Sequence, residues 1–253
     1  MAEERQVRMS EEQKQERKSI LVVVAHPDDA EFMAAGTIGK WGQEGHEINY
    51  VLCTAGDKGS SDRSMSPSKL AEIRRAEQRE ACNRLGVKEL VFLNYEDGVL
   101  QNTLGLRRDI VREIRRFRPD VVLCQDPTSR WSAQGYINHP DHRAAGDATL
   151  DSVYPSARDA MVFPELLCEG FEPHKVLEVY VGGTNVPDVF VDIESSIHLK
   201  IAALKAHVSQ VGDGPRPDRP GWDLETVIRE RAGQVGQAQG LKYAESYKYF
   251  RMR

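Results

Sequence analysis

An unbroken apolar run at residues 20–25, Ile-Leu-Val-Val-Val-Ala, constrains the fold of this chain more than any other stretch. A strand without polar alternation is typical of a parallel sheet that helices cover on both faces. The run leads directly into His26-Pro27-Asp28-Asp29, so an imidazole and two carboxylates follow its carboxyl end. In an open parallel sheet, that edge is where binding sites form. Taken alone, the motif is equally compatible with a solvated acidic turn.

The rest of the chain continues an alternation of strands and helices. We predict further strands at residues 48–54, 89–95, 120–125, 176–182 and 188–193. Helices are predicted at residues 34–44, 67–85, 103–118, 143–153, 194–210 and 224–239. The repeated strand-helix order predicts an α/β fold, a Rossmann-like, mostly parallel sheet with helices on both faces. A dinucleotide site is not expected, because no G-x-G-x-x-G follows the first strand.

Length and composition limit the class of protein. The 253 residues fit one α/β domain at 19–253, after a charged extension at 1–18 that we expect to be a frayed helix or disordered. No apolar stretch approaches the roughly 18 residues that span a bilayer. The net charge of -5 argues against nucleic acid or an anionic membrane as a partner, since both select a basic face. A small-molecule substrate fits better, and a homo-oligomer is compatible with the sequence.

The cysteines and the amino terminus bear on the compartment. The four cysteines include no C-x-x-C pair and are interpreted as reduced thiols: Cys53, Cys82, Cys124 and Cys168. The first 18 residues have neither the apolar core of a signal peptide nor the acid-poor character of a transit peptide. The sequence therefore predicts a cytoplasmic protein.

A second cluster of ionisable residues follows the fourth predicted strand. A long loop at residues 126–138 leads into His139-Pro140-Asp141-His142, where Pro140 is suited to the first helical position. His139 is then the N-cap, and His142 lies one turn further on, so both rings can point at one spot. A loop of this length is usually functional, and it carries Arg130, Trp131 and Tyr136 as candidate wall or lid residues.

Two imidazoles and one carboxylate, from His26, Asp29 and His142, make up the ligand set of a catalytic zinc site with one open position. The same donors also suit non-haem Fe(II). Asp28 remains beside that position, where a carboxylate can accept the proton of a water molecule that the cation activates.

The second motif leaves two further groups beside this site. His139, if protonated, can stabilise the oxyanion of a tetrahedral intermediate. Asp141 is then placed to hold the ring and charge of His139.

The two motifs together resemble the PIG-L/LmbE family of metal-dependent N-acetylglucosaminyl deacetylases. That family carries an Ala-His-Pro-Asp-Asp turn and a later His-Pro-Asp-His, which stand here at residues 25–29 and 139–142. The resemblance extends to the loop at 54–59, the helix at 75–86, Glu96-Asp97-Gly98 and the segment at 203–207.

This resemblance implies a role for each matching residue. It makes His26, Asp29 and His142 zinc ligands, Asp28 the general base and acid, and His139 with Asp141 the oxyanion support. It also implies that Asp97, and one of Arg74 or Arg75, hydrogen-bond sugar hydroxyls. The chain departs from the pattern in having Ala30 and then Glu31 where some members have Glu after the two aspartates. Ile137 stands where some members have the tyrosine that assists the oxyanion, and Tyr136 precedes it.

Three functions remain open on the sequence. The leading one removes acetyl from an N-acetylglucosamine-type amide. The second uses the same site as an amidase for a thiol conjugate or an antibiotic intermediate, with substrate choice in the loops at 57–67, 126–138 and around Gly214. The third is a non-catalytic sugar- or metal-binding protein, which Asp28 disfavours because a pure binder needs no extra carboxylate. Trp131 stacks on a sugar ring in the first interpretation and merely packs the loop in the alternative.

Overall fold

A computed structural model describes residues 17–131, 135–212 and 223–253. The predicted extension at 1–18, apart from its last two residues, lies outside the described residues, as does the predicted loop around Gly214. Within the described part of the chain, no helix is both long and apolar enough to cross a membrane.

The described residues form seven strands joined mainly by helices. The strands are β1 (Ser19–Val24), β2 (Glu47–Thr54), β3 (Glu89–Tyr95), β4 (Val121–Gln125), β5 (Glu178–Gly182), β6 (Val189–Asp192) and β7 (Ala244–Arg251). The helices are α1 (Asp29–Gln43), α2 (Pro67–Leu85), α3 (Leu104–Phe117), α4 (Pro140–Asp151), α5 (Glu165–Cys168), α6 (Ile197–Leu204), α7 (Val208–Val211) and α8 (Leu224–Gln237), with a π-helical turn at Ser152–Ser156 after α4.

All seven strands pair into one sheet in the order β3-β2-β1-β4-β5-β7-β6. The first five strands in that order are parallel, and β7 is antiparallel to both β5 and β6. β1 therefore lies between β2 and β4, where the chain reverses its direction of travel across the sheet. Ligands bind at such a switch point in open α/β sheets.

Helices cover both faces of the sheet, as the apolar run predicts. Leu21 and Val23 of β1 pack with the residues of α3 and α4 on one face. Ile20, Val22 and Val24 pack with α1 and α2 on the other face. Because successive side chains of β1 enter opposite cores, both sets must be apolar, and burying each such side chain contributes roughly 1.5–3 kcal/mol.

Local capping signals account for several helix boundaries. α2 begins at Pro67, the Ser66 hydroxyl accepts a hydrogen bond from the Lys69 amide, and the helix ends at Gly86 in the left-handed conformation. The Thr103 hydroxyl caps α3 in the same way. These ends agree with the predicted ones, because each depends on residues adjacent in sequence.

Several elements of the structure differ from the prediction. α1 begins at Asp29 rather than at residue 34. The predicted helix at 194–210 is two helices, α6 and α7, which a break before His207 separates. β7 was not predicted at all, and it provides the antiparallel partner of β5.

Candidate active site

The turn after β1 is fixed by neighbouring strands. The Ala25 amide donates to Gln125 Oε1 at 3.0 Å, and the Ala25 carbonyl accepts from the amide and hydroxyl of Thr54. β2 and β4 thereby hold the last residue before the motif from both sides.

Asp28 has a left-handed backbone, with φ of 79°, between this turn and α1. An L-residue other than glycine adopts this conformation at a cost of roughly 1–2 kcal/mol, although Asp tolerates it better than most. Gln78 Oε1 accepts the Asp28 amide at 3.1 Å, and Arg74 Nη2 donates to Asp28 Oδ2 at 3.3 Å and to the Pro27 carbonyl at 2.7 Å. The carboxylate and the backbone of Asp28 are therefore each held from α2.

The Asp29 carboxylate lies between two imidazoles. Asp29 Oδ2 is 3.3 Å from His26 Nδ1, and Asp29 Oδ1 is 3.0 Å from His142 Nε2. The other nitrogen of His142, Nδ1, is 2.9 Å from Asn138 Oδ1, which is an acceptor, so we assign the ring proton to Nδ1. A lone pair on His142 Nε2 then faces a carboxylate oxygen. A cation or a proton between them relieves that repulsion, so this donor set fits a divalent metal.

His139 extends the same cluster. The ring nitrogens of His26, His139 and His142 that could ligate a metal lie within 4.8 Å of one another. As the N-cap of α4, however, His139 Nδ1 accepts the Asp141 amide at 3.2 Å. The neutral ring therefore carries its proton on Nε2, which remains a donor.

Two buried carboxylates hold the far side of His26. His26 Nε2 is 3.0 Å from Asp97 Oδ1 and 3.2 Å from Asp141 Oδ2. Asp141 also accepts from the Gly98 amide at 2.7 Å and the Leu100 amide at 3.1 Å. A carboxylate behind a ligating imidazole fixes the ring and raises its basicity. The predicted support of His139 by Asp141 stays a prediction, since their side chains approach only to 3.8 Å.

The charges of this cluster shift its pKa values in opposite directions. Burial lowers the pKa of His26, but the Asp29, Asp141 and Asp97 carboxylates together raise it to about 12. Burial raises the pKa of Asp29, yet His142 and His26 hold it well below its usual value. The carboxylates of Asp29, Asp97 and Asp141 thus place negative charge around His26, an environment that favours a cation.

The pKa values of Asp28 and His139 shift in the directions opposite to those of Asp29 and His26. Burial raises the pKa of Asp28 to about 7, and the Arg74 guanidinium limits the rise. Burial, followed by the charge on His26, lowers the pKa of His139. A carboxyl group with a raised pKa can take up and return a proton near neutral pH, and an imidazole with a lowered pKa can donate a hydrogen bond without carrying a charge.

Comparison with known proteins adds a family to this geometry. Residues 21–153 match the model of the family described as PIG-L: GlcNAc-PI de-N-acetylase. The chain belongs to the PIG-L family. A diacetylchitobiose deacetylase of Thermococcus kodakarensis is 33% identical over 233 residues, which cover 92% of this chain and 83% of that protein.

Two further relatives place the family membership in context. The structure of the N,N'-diacetylchitobiose deacetylase from Pyrococcus horikoshii, complexed with its inhibitor MPG, superposes with a TM-score of 0.83 at 32% identity, covering 94% of this chain and 85% of that one. A mycothiol S-conjugate amidase of Streptomyces coelicolor is 29% identical over 191 residues, which cover 66% of this chain and 62% of that protein. Deacetylases and an amidase associate the chain with hydrolysis of amide bonds.

Residues of both PIG-L motifs border a cavity of about 1240 Å³. His26, Asp28, Asp29, His139 and His142 line one part of it. All the residues predicted to form the metal and proton-transfer site are therefore brought together, except that Asp141 is fully buried behind His26.

The predicted substrate-binding residues divide into two groups. Asp97, Arg74 and Tyr136 line the cavity. Arg75 and Trp131 are not among its lining residues. Arg75 instead donates to Asn94 Oδ1 at 2.6 Å and lies 4.4 Å from the centre of the Phe92 ring.

Arg74 and Trp131 differ in how accessible they are to a ligand. The Arg74 guanidinium also donates to the Gly56 carbonyl at 3.0 Å, so it is largely committed to the protein. Trp131 is 65% exposed, and its carbonyl accepts from Asn185 Nδ2 at 2.9 Å. Within the loop, residues 132–134 lie outside the described part of the chain.

Sequence reasoning missed three residues whose side-chain amides hold this PIG-L site: Gln78, Gln125 and Asn138. Gln78 had a detectable signal, because it falls at helical spacing between Leu70 and Leu85, in the buried stripe of α2. A polar residue in such a stripe requires a buried partner. Gln125 and Asn138 gave no comparable signal, since each lies at the end of an element or in a loop.

Proposed function

We propose that this chain is a zinc-dependent hydrolase that removes acetyl from an N-acetylglucosamine-type or related N-acyl amino-sugar substrate. Relatives that deacetylate amino sugars support the reaction class. The observation that carries the proposal is the position of Asp28: a partly buried carboxylate beside a complete set of metal donors, in the lining of the cavity.

His26 Nδ1, Asp29 and His142 Nε2 would hold the metal. A zinc ion in that position supplies Lewis acidity, which polarises the substrate carbonyl and makes water a nucleophile near neutral pH. Fe(II) or another divalent metal would suit the same donors. Asp97 and Asp141 act behind His26, and Asn138 acts behind His142, so that each ligand presents one defined nitrogen.

Asp28 moves the proton in this mechanism. It accepts a proton from the attacking water as the water oxygen bonds to the acetyl carbon. It then gives the proton to the amide nitrogen as the C–N bond breaks, so the products are a free amine and acetic acid, which ionises to acetate by releasing the second proton of the water to solvent. The pKa of Asp28, raised by burial to about 7, suits a group that must both take and return a proton.

His139 stabilises the negative charge on the carbonyl oxygen. Its Nδ1 is occupied by the Asp141 amide, so Nε2–H is the available donor. Burial and the charge on His26 lower the pKa of His139, which favours donation from a neutral ring over donation from an imidazolium. One such donor contributes roughly 10²- to 10³-fold to kcat.

Substrate contacts would come from the lining of the cavity. Asp97 and Tyr136 are the candidates for sugar hydroxyls. Trp131, beyond the lining, would act as an outer wall. Arg74 would contribute mainly by holding Asp28, because its guanidinium donates to that carboxylate and to the Pro27 and Gly56 carbonyls.

The experiment is acetate release from a panel of N-acetylated amino sugars by metal-stripped and zinc-restored protein. We expect activity only after zinc is restored, and activity that returns equally without metal would contradict the proposal. A thiol-conjugated glucosaminyl amide belongs in the same panel, because an S-conjugate amidase is among the relatives. Cleavage of that amide in preference to N-acetyl sugars would favour the amidase alternative.

A further inference from the structure

A chain of buried polar groups leads away from Asp28 into the core. The Asp28 amide donates to Gln78 Oε1 at 3.1 Å, and Gln78 Nε2 donates to Glu31 Oε1 at 2.9 Å. Glu31 Oε2 is 3.3 Å from His207 Nε2. Gln78 is 1% exposed, and Glu31 and His207 are fully buried.

These buried polar side chains come from three separate parts of the fold and lie behind Asp28. Gln78 lies on α2, Glu31 on α1, and His207 at the break between α6 and α7. An apolar side chain would fill the same position in the stripe of α2 without the desolvation that a buried amide requires. Packing alone therefore does not require an amide at this position.

The order of donors and acceptors fixes the Gln78 amide in one orientation. A carboxylate only accepts hydrogen bonds, so Glu31 requires the Nε2 end of Gln78. The Oε1 end must then face the Asp28 amide. The Glu31 carboxylate therefore determines which end of Gln78 meets the catalytic turn, and His207 Nε2 lies 3.3 Å from its other oxygen.

We propose that Gln78 is a positioning residue that holds the backbone of Asp28 in its left-handed conformation, and that Glu31 and His207 set the orientation of Gln78. The inference rests on the proposed function, because it assigns the purpose of this network to the base Asp28. Arg74, one turn earlier on α2, holds the carboxylate, and Gln78 holds the amide.

The first test is Gln78→Met, which keeps the length of the side chain and removes both hydrogen bonds. Misplacement of the base should lower kcat by roughly 10- to 100-fold while KM and zinc content stay at the parent values. Thr37→Val is the matched control, because it removes a buried hydrogen bond, to Tyr247, from the same helix as Glu31. We expect its kcat to be unchanged. An unchanged kcat in Gln78→Met would overturn the inference.

A double-mutant cycle separates this inference from the proposed function. If Gln78 acts through Asp28, Gln78→Met should cause no further loss of kcat in an Asp28→Asn background. An equal loss in both backgrounds would overturn the positioning role while the hydrolase assignment stands. Parent-level activity in Asp28→Asn alone would instead defeat the proposed function.

A third measurement needs no activity. Hydrogen exchange at the Asp28 amide, followed by NMR, should accelerate in Gln78→Met and not in Thr37→Val. The exchanged pair Glu31→Gln with Gln78→Glu keeps an acceptor for the Asp28 amide and a hydrogen bond between positions 31 and 78, now donated from position 31, so it should restore slow exchange and most of kcat. This pair also serves if Gln78→Met does not fold. Fast exchange or a low kcat in the folded pair would contradict the inference.

Discussion

The two sides of the site are held with very different firmness. The strand side, residues 25–29, is held from several elements: His26 is 7% exposed, and hydrogen bonds join Ala25 to β4, Asp28 to α2 and His26 to α4. The loop side, residues 126–142, carries Trp131, Tyr136 and Ile137 at 65%, 62% and 78% exposure. Among its described residues, the inner end is tied to the cluster, through Asn138 and His142 and through Asp141, which contacts His26.

This difference separates chemistry from selection. Groups that bind metal and move protons need fixed geometry, which burial and multiple hydrogen bonds provide. Groups that meet variable parts of a substrate are found on loops, which tolerate change. We therefore expect changes on the strand side, and at the inner end of the loop side, to affect metal content and kcat. Changes further out should affect KM.

The largest expected effect is at His142. His142→Ala removes one of three donors to the metal, so we expect most bound metal and activity to be lost while the fold remains. Elemental analysis after dialysis measures the metal. Undiminished stoichiometry would show that the ligand set is wrong.

His139→Ala is the matched variant on the same helix. Its ring is a donor to the oxyanion in our account rather than a ligand, so metal should be retained and kcat should fall by roughly 10²- to 10³-fold. Paired metal and rate measurements on the two variants test this division. Loss of metal in His139→Ala would place both imidazoles on the cation.

Asn138→Ala should have a smaller effect at the boundary between the two sides. The hydrogen bond to His142 Nδ1 fixes the ring, and loss of such a partner lowers metal affinity by roughly 10- to 100-fold. Competition with a chelator measures that affinity. Asn185→Ala, which removes a loop hydrogen bond outside the cavity, is the control and should leave the affinity unchanged. Equal losses in both variants would mean that loop packing, not His142, is responsible.

Trp131→Ala should have the smallest effect. A lost aromatic contact of roughly 0.5–1.5 kcal/mol corresponds to an increase in KM of about 2- to 10-fold with little change in kcat. Steady-state kinetics on a disaccharide substrate measures it. Ile137→Ala, which alters the residue paired with Trp131 in the loop, is the control. An unchanged KM for Trp131→Ala, or an equal change in the control, would reduce Trp131 to loop packing.

Sequence reasoning located the parts of the fold that depend on neighbouring residues. The apolar run of β1, the capped ends of α2 and the position of His139 at the start of α4 all follow from local patterns. β7 escaped, because Ala244–Arg251 places tyrosines between charged residues and gains its stability only by pairing with β5 and β6.

The long-range contacts of the site could not be predicted. Asp141 is adjacent in sequence to His139 but directs its carboxylate to His26, 115 residues away. The helix predicted at 194–210 breaks before His207, which is buried against Glu31 of α1. Both outcomes depend on which elements meet in three dimensions, and hydrophobic periodicity carries no such information.

The most direct test of the central claim is acetate release by Asp28→Asn at the same zinc occupancy as the parent. Asn keeps the size of the side chain but cannot take the proton from water, so kcat should fall by roughly 10²- to 10⁴-fold. The fall in kcat/KM at acidic pH should also be lost, because it reflects protonation of the base. Parent-level kcat with full zinc would contradict the account, since the proton would then pass through another group.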